Sequence, residues 1–163
     1  MAERITKTIT VRRDVSDVYN LWSNFENLPH FMRYIKSVTR AGDRLSHWVM
    51  EGPLGKEIEW DARTTAMDED RRIAWHSIEG DIYTSGEVLF DETSPGETRL
   101  TVTMEYEPKG SLGNLGAKLF SDAESRLEED LQNFREYAES GARVTTRRGA
   151  SDVTDMGSSG MGI

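Results

Sequence analysis

At 163 residues the chain has the length of one ordinary domain, large enough to bury a core. Its formal net charge of −9, spread along the chain, works against nucleic acid or an anionic membrane as a partner. The absence of cysteine excludes a disulfide framework and thiolate metal sites, and no apolar run reaches the length of a membrane span, so the expectation is a cytoplasmic domain with no integral membrane segment.

Arg4 to Val11 alternates apolar and polar residues and predicts a strand. In DVSDVYNLWSNFENL, Asp14 or Ser16 can start a helix whose apolar face is Val18, Leu21, Trp22 and Phe25. Pro29 suits a first helical turn and predicts a second short helix over His30 to Tyr34. From Ser37 to Tyr106 the period becomes two, with strands near 37–41, 44–51, 57–67, 71–77, 83–91 and 98–107. The short turns between them, among them Gly-Pro-Leu-Gly and Ser-Pro-Gly-Glu, imply an antiparallel meander.

After the connector PKGSLGNLG, one long helix is predicted from about Leu115 to Glu139, with Leu119, Phe120, Ala123, Leu127, Leu131, Phe134 and Ala138 on its apolar stripe. Asp122–Arg126, Arg126–Asp130 and Arg135–Glu139 form i, i+4 pairs assigned to its wet face. Gly141 stands where a helix-ending glycine belongs. The domain is therefore placed at 1–141, and the unpatterned residues 142–163 read as a disordered tail. The element order describes an α+β fold, a curved antiparallel sheet of about seven strands around a long C-terminal helix.

Four stretches carry a family resemblance: LWSNFENLPHFM, HWVMEGPLGKEIEWDA, RIAWHSIEG, and SGEVLFDE with TRLTVTMEYEPKGSLG. With the element order they resemble the START-like, or SRPBCC, superfamily of helix-grip proteins, which includes bacterial polyketide cyclase/dehydrase proteins and coenzyme Q-binding START-domain proteins. The resemblance spans roughly residues 4–140. It implies an apolar cavity between sheet and helix that holds a hydrophobic small molecule. It names no ligand, because function is a property of the site and not of the fold.

The hairpin SHWVMEGPLGKEIEWDAR raises the sharpest question of facing. A four-residue loop pairs His47 with Trp60 and sends Trp48 to the opposite face. One further loop residue puts Trp48, Met50, Ile58 and Trp60 on one face. Trp60 faces inward in both registers, because Glu59 and Asp61 beside it seek water. Candidate ligand-binding residues are Trp48, Trp60, Trp75, Val88, Phe90, Val102 and Met104 on the strands. Phe31 near the mouth, Tyr83, and Leu119 and Ala123 on the helix complete the set. The plainer reading makes them all core.

His30, His47 and His76 lie in separate elements without metal-ligand spacing, so no metal or other cofactor is expected. Glu57, Glu59, Asp61 and Arg63 read as a solvated sheet face, with Arg63 paired to Asp61 or to a neighbouring strand. Gly110 to Gly116 lacks the lysine of a phosphate loop. His47, Tyr83, Tyr106 and Arg63 are the inward polar candidates for catalysis, but none fits a catalytic motif. The sequence therefore favours binding or carriage of a lipid, quinone or polyketide-like molecule. A cyclase or dehydratase is the alternative, and a stress-related partner-binding module without a ligand a further one.

Overall fold

The period-two segment folds into an open, curved sheet of seven antiparallel strands. They are β1 (Glu3–Val11), β2 (Ile35–Gly42), β3 (Leu45–Glu51), β4 (Glu57–Asp68), β5 (Arg72–Gly80), β6 (Ile82–Ser94) and β7 (Glu97–Pro108). This computed structural model describes residues 3–108 and 122–144. Six strands follow one another as a meander, and β1 closes the order β1-β7-β6-β5-β4-β3-β2 by pairing with β7. Two α-helices are described, α1 (Val15–Ser23) and α2 (Ala123–Glu139), together with a 3-10 helix over Phe25–His30.

Alternation decides the buried face. Ile58, Trp60, Ala62 and Thr64 point inward along β4, while Glu57, Glu59, Arg63 and Thr65 between them stay exposed. Against the inner face lie Trp22 of α1 and Leu127, Leu131 and Phe134 of α2, and these join the sheet in one core. Phe134 meets Trp22 at 5.1 Å and Phe31 at 4.8 Å between ring centroids, both edge-on, as the aromatic quadrupole favours.

The end of α2 is held in three ways. Gly141, at φ 92°, allows Ala142 N–H to reach the Tyr137 carbonyl and its own N–H to reach that of Ala138, a Schellman turn. The Arg13 guanidinium donates to the Ala138 carbonyl at 3.0 Å, a cation at the negative end of the helix. The Arg12 N–H donates to Glu139 at 2.8 Å. Beyond Gly141, Ala142 and Val144 are part-buried against the core.

The short helix expected over His30–Tyr34 is not there. Its place is taken by the 3-10 helix that ends at His30, with Pro29 in its last turn. A 3-10 turn closes on i→i+3 bonds, so it accommodates Asn27 N–H on the Asn24 carbonyl and Phe31 N–H on that of Leu28. The predicted start of the long helix at Leu115 and the stripe residues Leu119 and Phe120 lie outside the described residues.

Gly86 permits one close approach that matters for the site. It pairs with Trp75 across β5 and β6, and a Cβ there would overlap the indole ring of Trp75. Gly86→Ala should force Trp75 off its position and cost about 1–3 kcal/mol, the usual range for overpacking. Chemical denaturation gives the loss and near-ultraviolet circular dichroism the tryptophan displacement; an unchanged spectrum would contradict this packing.

Candidate functional site

The loop between β3 and β4 decides how the tryptophans face. Glu51 pairs with Glu57, Met50 with Ile58, and Trp48 with Trp60, so five residues, Gly52 to Lys56, lie outside the ladder. Of the two registers open to the sequence, the longer loop is the one formed, and Trp48 and Trp60 share the inner face at 1% and 4% exposure. Leu54 supports the loop in the left-handed region at φ 61°.

Trp48 is the centre of a stack. Its ring lies 5.6 Å from Trp60 and 5.9 Å from Trp75, each tilted by 23°. Phe25 closes on Trp48 at 5.5 Å and on Trp75 at 5.4 Å. Trp48 Nε1 donates to Ser46 Oγ at 2.8 Å. Trp60 Nε1 is buried and has no hydrogen-bond partner among the described residues. Such an orphaned donor is unusual, since an unmet buried N–H costs about 1–3 kcal/mol.

The three tryptophans form one wall of a cavity between sheet and α2. The space is narrow, and Met32, Met50 and Met104 border it with unbranched side chains able to re-pack. Besides the Trp60 N–H, its polar side chains are few: Tyr34, Thr84, Tyr106, Arg126 and Asp130. Thr84 Oγ1 is already committed to the Glu105 carbonyl at 2.9 Å. Among the described residues, no group of histidine and carboxylate side chains could hold a metal ion.

Asp130 was assigned by its sequence spacing to the wet face of the helix, and the structure buries it to 9% exposure. The helix register explains this: Ala123, Leu127, Asp130 and Phe134 fall on one stripe, with spacings of four, three and four. Burial pushes its carboxyl up to about 7, against the Arg33 N–H, which donates to Oδ1 at 3.2 Å, and with the neighbouring Glu129 adding to the rise. Tyr106 is raised to about 12, chiefly by burial, with Arg126 opposing. The Arg126 guanidinium lies 5.2 Å from the centre of the Tyr34 ring, over which Arg33 also stands at 5.6 Å.

Of the residues singled out by sequence, the structure brings Trp48, Trp60, Trp75 and Met104 together at the cavity. Val88, Phe90, Val102 and Ala123 are buried in the core but do not border it. Phe31, expected at the mouth, is instead 2% exposed and packed between Trp22 and Phe134. Tyr83 turns outward at 54% exposure, because its neighbour Thr84 takes the inner position. His47 and Arg63 also face outward, which leaves Tyr106 as the one inward residue among the four catalytic candidates.

The outer face carries its own bonds. His47 Nδ1 meets Asp61 at 2.7 Å and Nε2 meets Glu59 at 2.9 Å, and these two carboxylates raise its pKa. Asp61 is thus engaged by His47 and not by Arg63. His30 stacks on Tyr137, their centroids 5.5 Å apart.

A family model described as polyketide cyclase / dehydrase and lipid transport matches residues 11–135. A curated relative from Streptomyces lincolnensis, described as an uncharacterized 17.2 kDa protein of the melC2-rnhH intergenic region, is 28% identical over 142 residues, which cover 87% of this chain and 93% of that protein. The Zhui aromatase/cyclase from Streptomyces sp. R1128 superposes with a TM-score of 0.74 at 16% identity, covering 88% of this chain and 97% of that one. A START superfamily protein from Mycobacterium smegmatis does so with a TM-score of 0.68 at 19% identity, covering 83% and 98%. At such identities the two structures speak for the fold alone.

Proposed function

Because the chain belongs to the polyketide cyclase / dehydrase and lipid transport family, we propose that it binds and carries a hydrophobic, ring-bearing small molecule, a quinone, lipid or polyketide-like compound, in the cavity between sheet and α2. The observation that carries this reading is the tryptophan wall with the unpaired Trp60 N–H. An apolar surface of stacked indoles suits a flat ring, and one buried donor suits a carbonyl or ether oxygen upon it. The buried Trp22 N–H is likewise without a partner among the described residues, but of the two only Trp60 borders the cavity.

Native mass spectrometry of gently purified protein, before and after organic extraction, tests this. A stoichiometric apolar adduct is expected, and its identity names the ligand class. If a clean mass is followed by failure of a lipid and quinone panel to bind, the carrier reading falls. With a ligand in hand, Trp60→Phe retains an aromatic ring and removes the N–H. It should weaken binding by up to about tenfold, the worth of one hydrogen bond, and lower the unfolding midpoint modestly, since the smaller ring leaves part of the indole's buried volume empty. Unaltered affinity would remove Trp60 from the recognition of ligand oxygen.

Asp130 favours a second reading, in which the same cavity performs acid–base chemistry on a polyketide-like substrate. A carboxyl at about 7 is divided between donor and acceptor forms near neutral pH, as a general acid or base requires. Turnover that Asp130→Asn abolishes while binding persists would support the enzyme. Binding without turnover in the unaltered protein would support the carrier.

A further inference from the structure

A second, small pocket lies between the 3-10 helix and the β2–β3 turn. It shares no lining residue with the first cavity. Its character is different too, since its border carries Arg40, Arg44, Ser46, Thr64 and Asn24.

Three observations converge there. Thr64 is 6% exposed and borders the pocket with its hydroxyl-bearing side chain. Ser46, also 6% exposed, accepts the Trp48 indole N–H, so its own hydroxyl proton remains available. Arg40 and Arg44 border the pocket without an ion pair among the described residues, although the chain has 29 acidic side chains against 20 basic ones. Arg40 reaches this place because it follows Val38 by two along β2 and pairs with the inward-facing Ser46. The pocket is thus bordered by two arginines and by two nearly buried residues that carry hydroxyls.

We propose that this pocket is a binding site for a phosphate group, free or carried on a small metabolite, held by Arg40 and Arg44 and by the Ser46 and Thr64 hydroxyls. Two guanidinium forks and two hydroxyls supply more donors than a planar carboxylate can accept, and a tetrahedral oxyanion matches them. Glu26 also borders the pocket and opposes an anion, which limits affinity and supplies a control. Through Ser46 the site touches the stack directly, because any donation from the Ser46 hydroxyl alters the acceptor of the Trp48 N–H.

The Trp48 indole N–H is therefore the reporter. In nitrogen–proton correlation spectra of the full chain, inorganic phosphate and glycerol phosphate are titrated separately at constant ionic strength. Saturable shifts of the Trp48 indole and of the Ser46 and Thr64 amides are expected, with a Kd of about 1 mM or tighter. A preference for glycerol phosphate would mark a metabolite, and a preference for the inorganic ion free phosphate. The paired variant R40Q/R44Q, altered only at exposed side chains, should bind at least about tenfold more weakly with the rest of its spectrum unchanged. Glu26→Gln should bind more tightly. Absence of saturable shifts with both probes, equal affinity in R40Q/R44Q, or weaker binding in Glu26→Gln would each overturn the proposal.

Discussion

Trp48→Ala is expected to destabilise the domain by about 3–5 kcal/mol, the range for removing a buried aromatic side chain. Trp48 is 1% exposed and touches Trp60, Trp75 and Phe25 at once, so its loss opens a void beside three rings and leaves little able to collapse into it. The Ser46 hydroxyl would lose its indole donor at the same time. Against a typical total of about 5–15 kcal/mol, such a loss brings a domain of this size close to unfolding at ambient temperature. Urea denaturation should show a lower midpoint with an unchanged slope. A loss below about 1 kcal/mol would mean that the stack is loosely held, and the cavity wall it forms would no longer count as pre-organised.

The second large effect is one of pH. Burial holds the folded Asp130 carboxyl at about 7, against an ordinary value of 3.8. Between these two values the native state keeps a proton that the unfolded chain releases, so this residue makes stability fall as pH rises from about 4 to about 7. Below that window its contribution is complete, and above it the buried charge costs roughly 4 kcal/mol at most. Asp130→Asn retains an oxygen for the Arg33 N–H and cannot ionise. The variant should therefore be more stable than the unaltered protein at pH 8, by up to that amount, and nearly equal to it at pH 4. His47 also has a raised pKa and lends stability that is lost as pH rises through it. The difference between the two proteins at each pH cancels that contribution. Equal stability of the two proteins at pH 8 would contradict the burial of a charged Asp130.

Both effects arise where the chain's local pattern was ambiguous. The strands were legible because their alternation is strict: β4 was expected at 57–67 and spans Glu57–Asp68, and β7 was expected at 98–107 and spans Glu97–Pro108. Trp60, Trp75 and Met104 were legible as inward residues for the same reason. Tyr83 was misassigned although the alternation that turns Val88 and Phe90 inward already places it on the outer face, with Thr84 the buried one. Phe31 follows a 3-10 helix in place of the expected α-turn, which rotates it from the mouth into the core.

Asp130 shows how a correct local rule can mislead. Its i−4 neighbour is Arg126, and on an isolated helix the two would form an ordinary surface pair. In the sequence it also lies three residues after Leu127 and four before Phe134, and that second spacing was the signal to follow. Choosing between them requires the rotation of α2 against the sheet.

By itself the sequence determined the order of elements and the inward parity of β4, β5 and β7, because these depend on periodicities that a short stretch of chain carries within itself, and its motifs carried the resemblance to the family. The tertiary structure decided the rest: the facing of Trp48, the burial of Asp130, and the pocket around Arg40 and Arg44. Each depends on the meeting of segments distant in sequence. A loop longer by one residue reverses a whole strand face, and a carboxylate's proton affinity follows from what is packed over it.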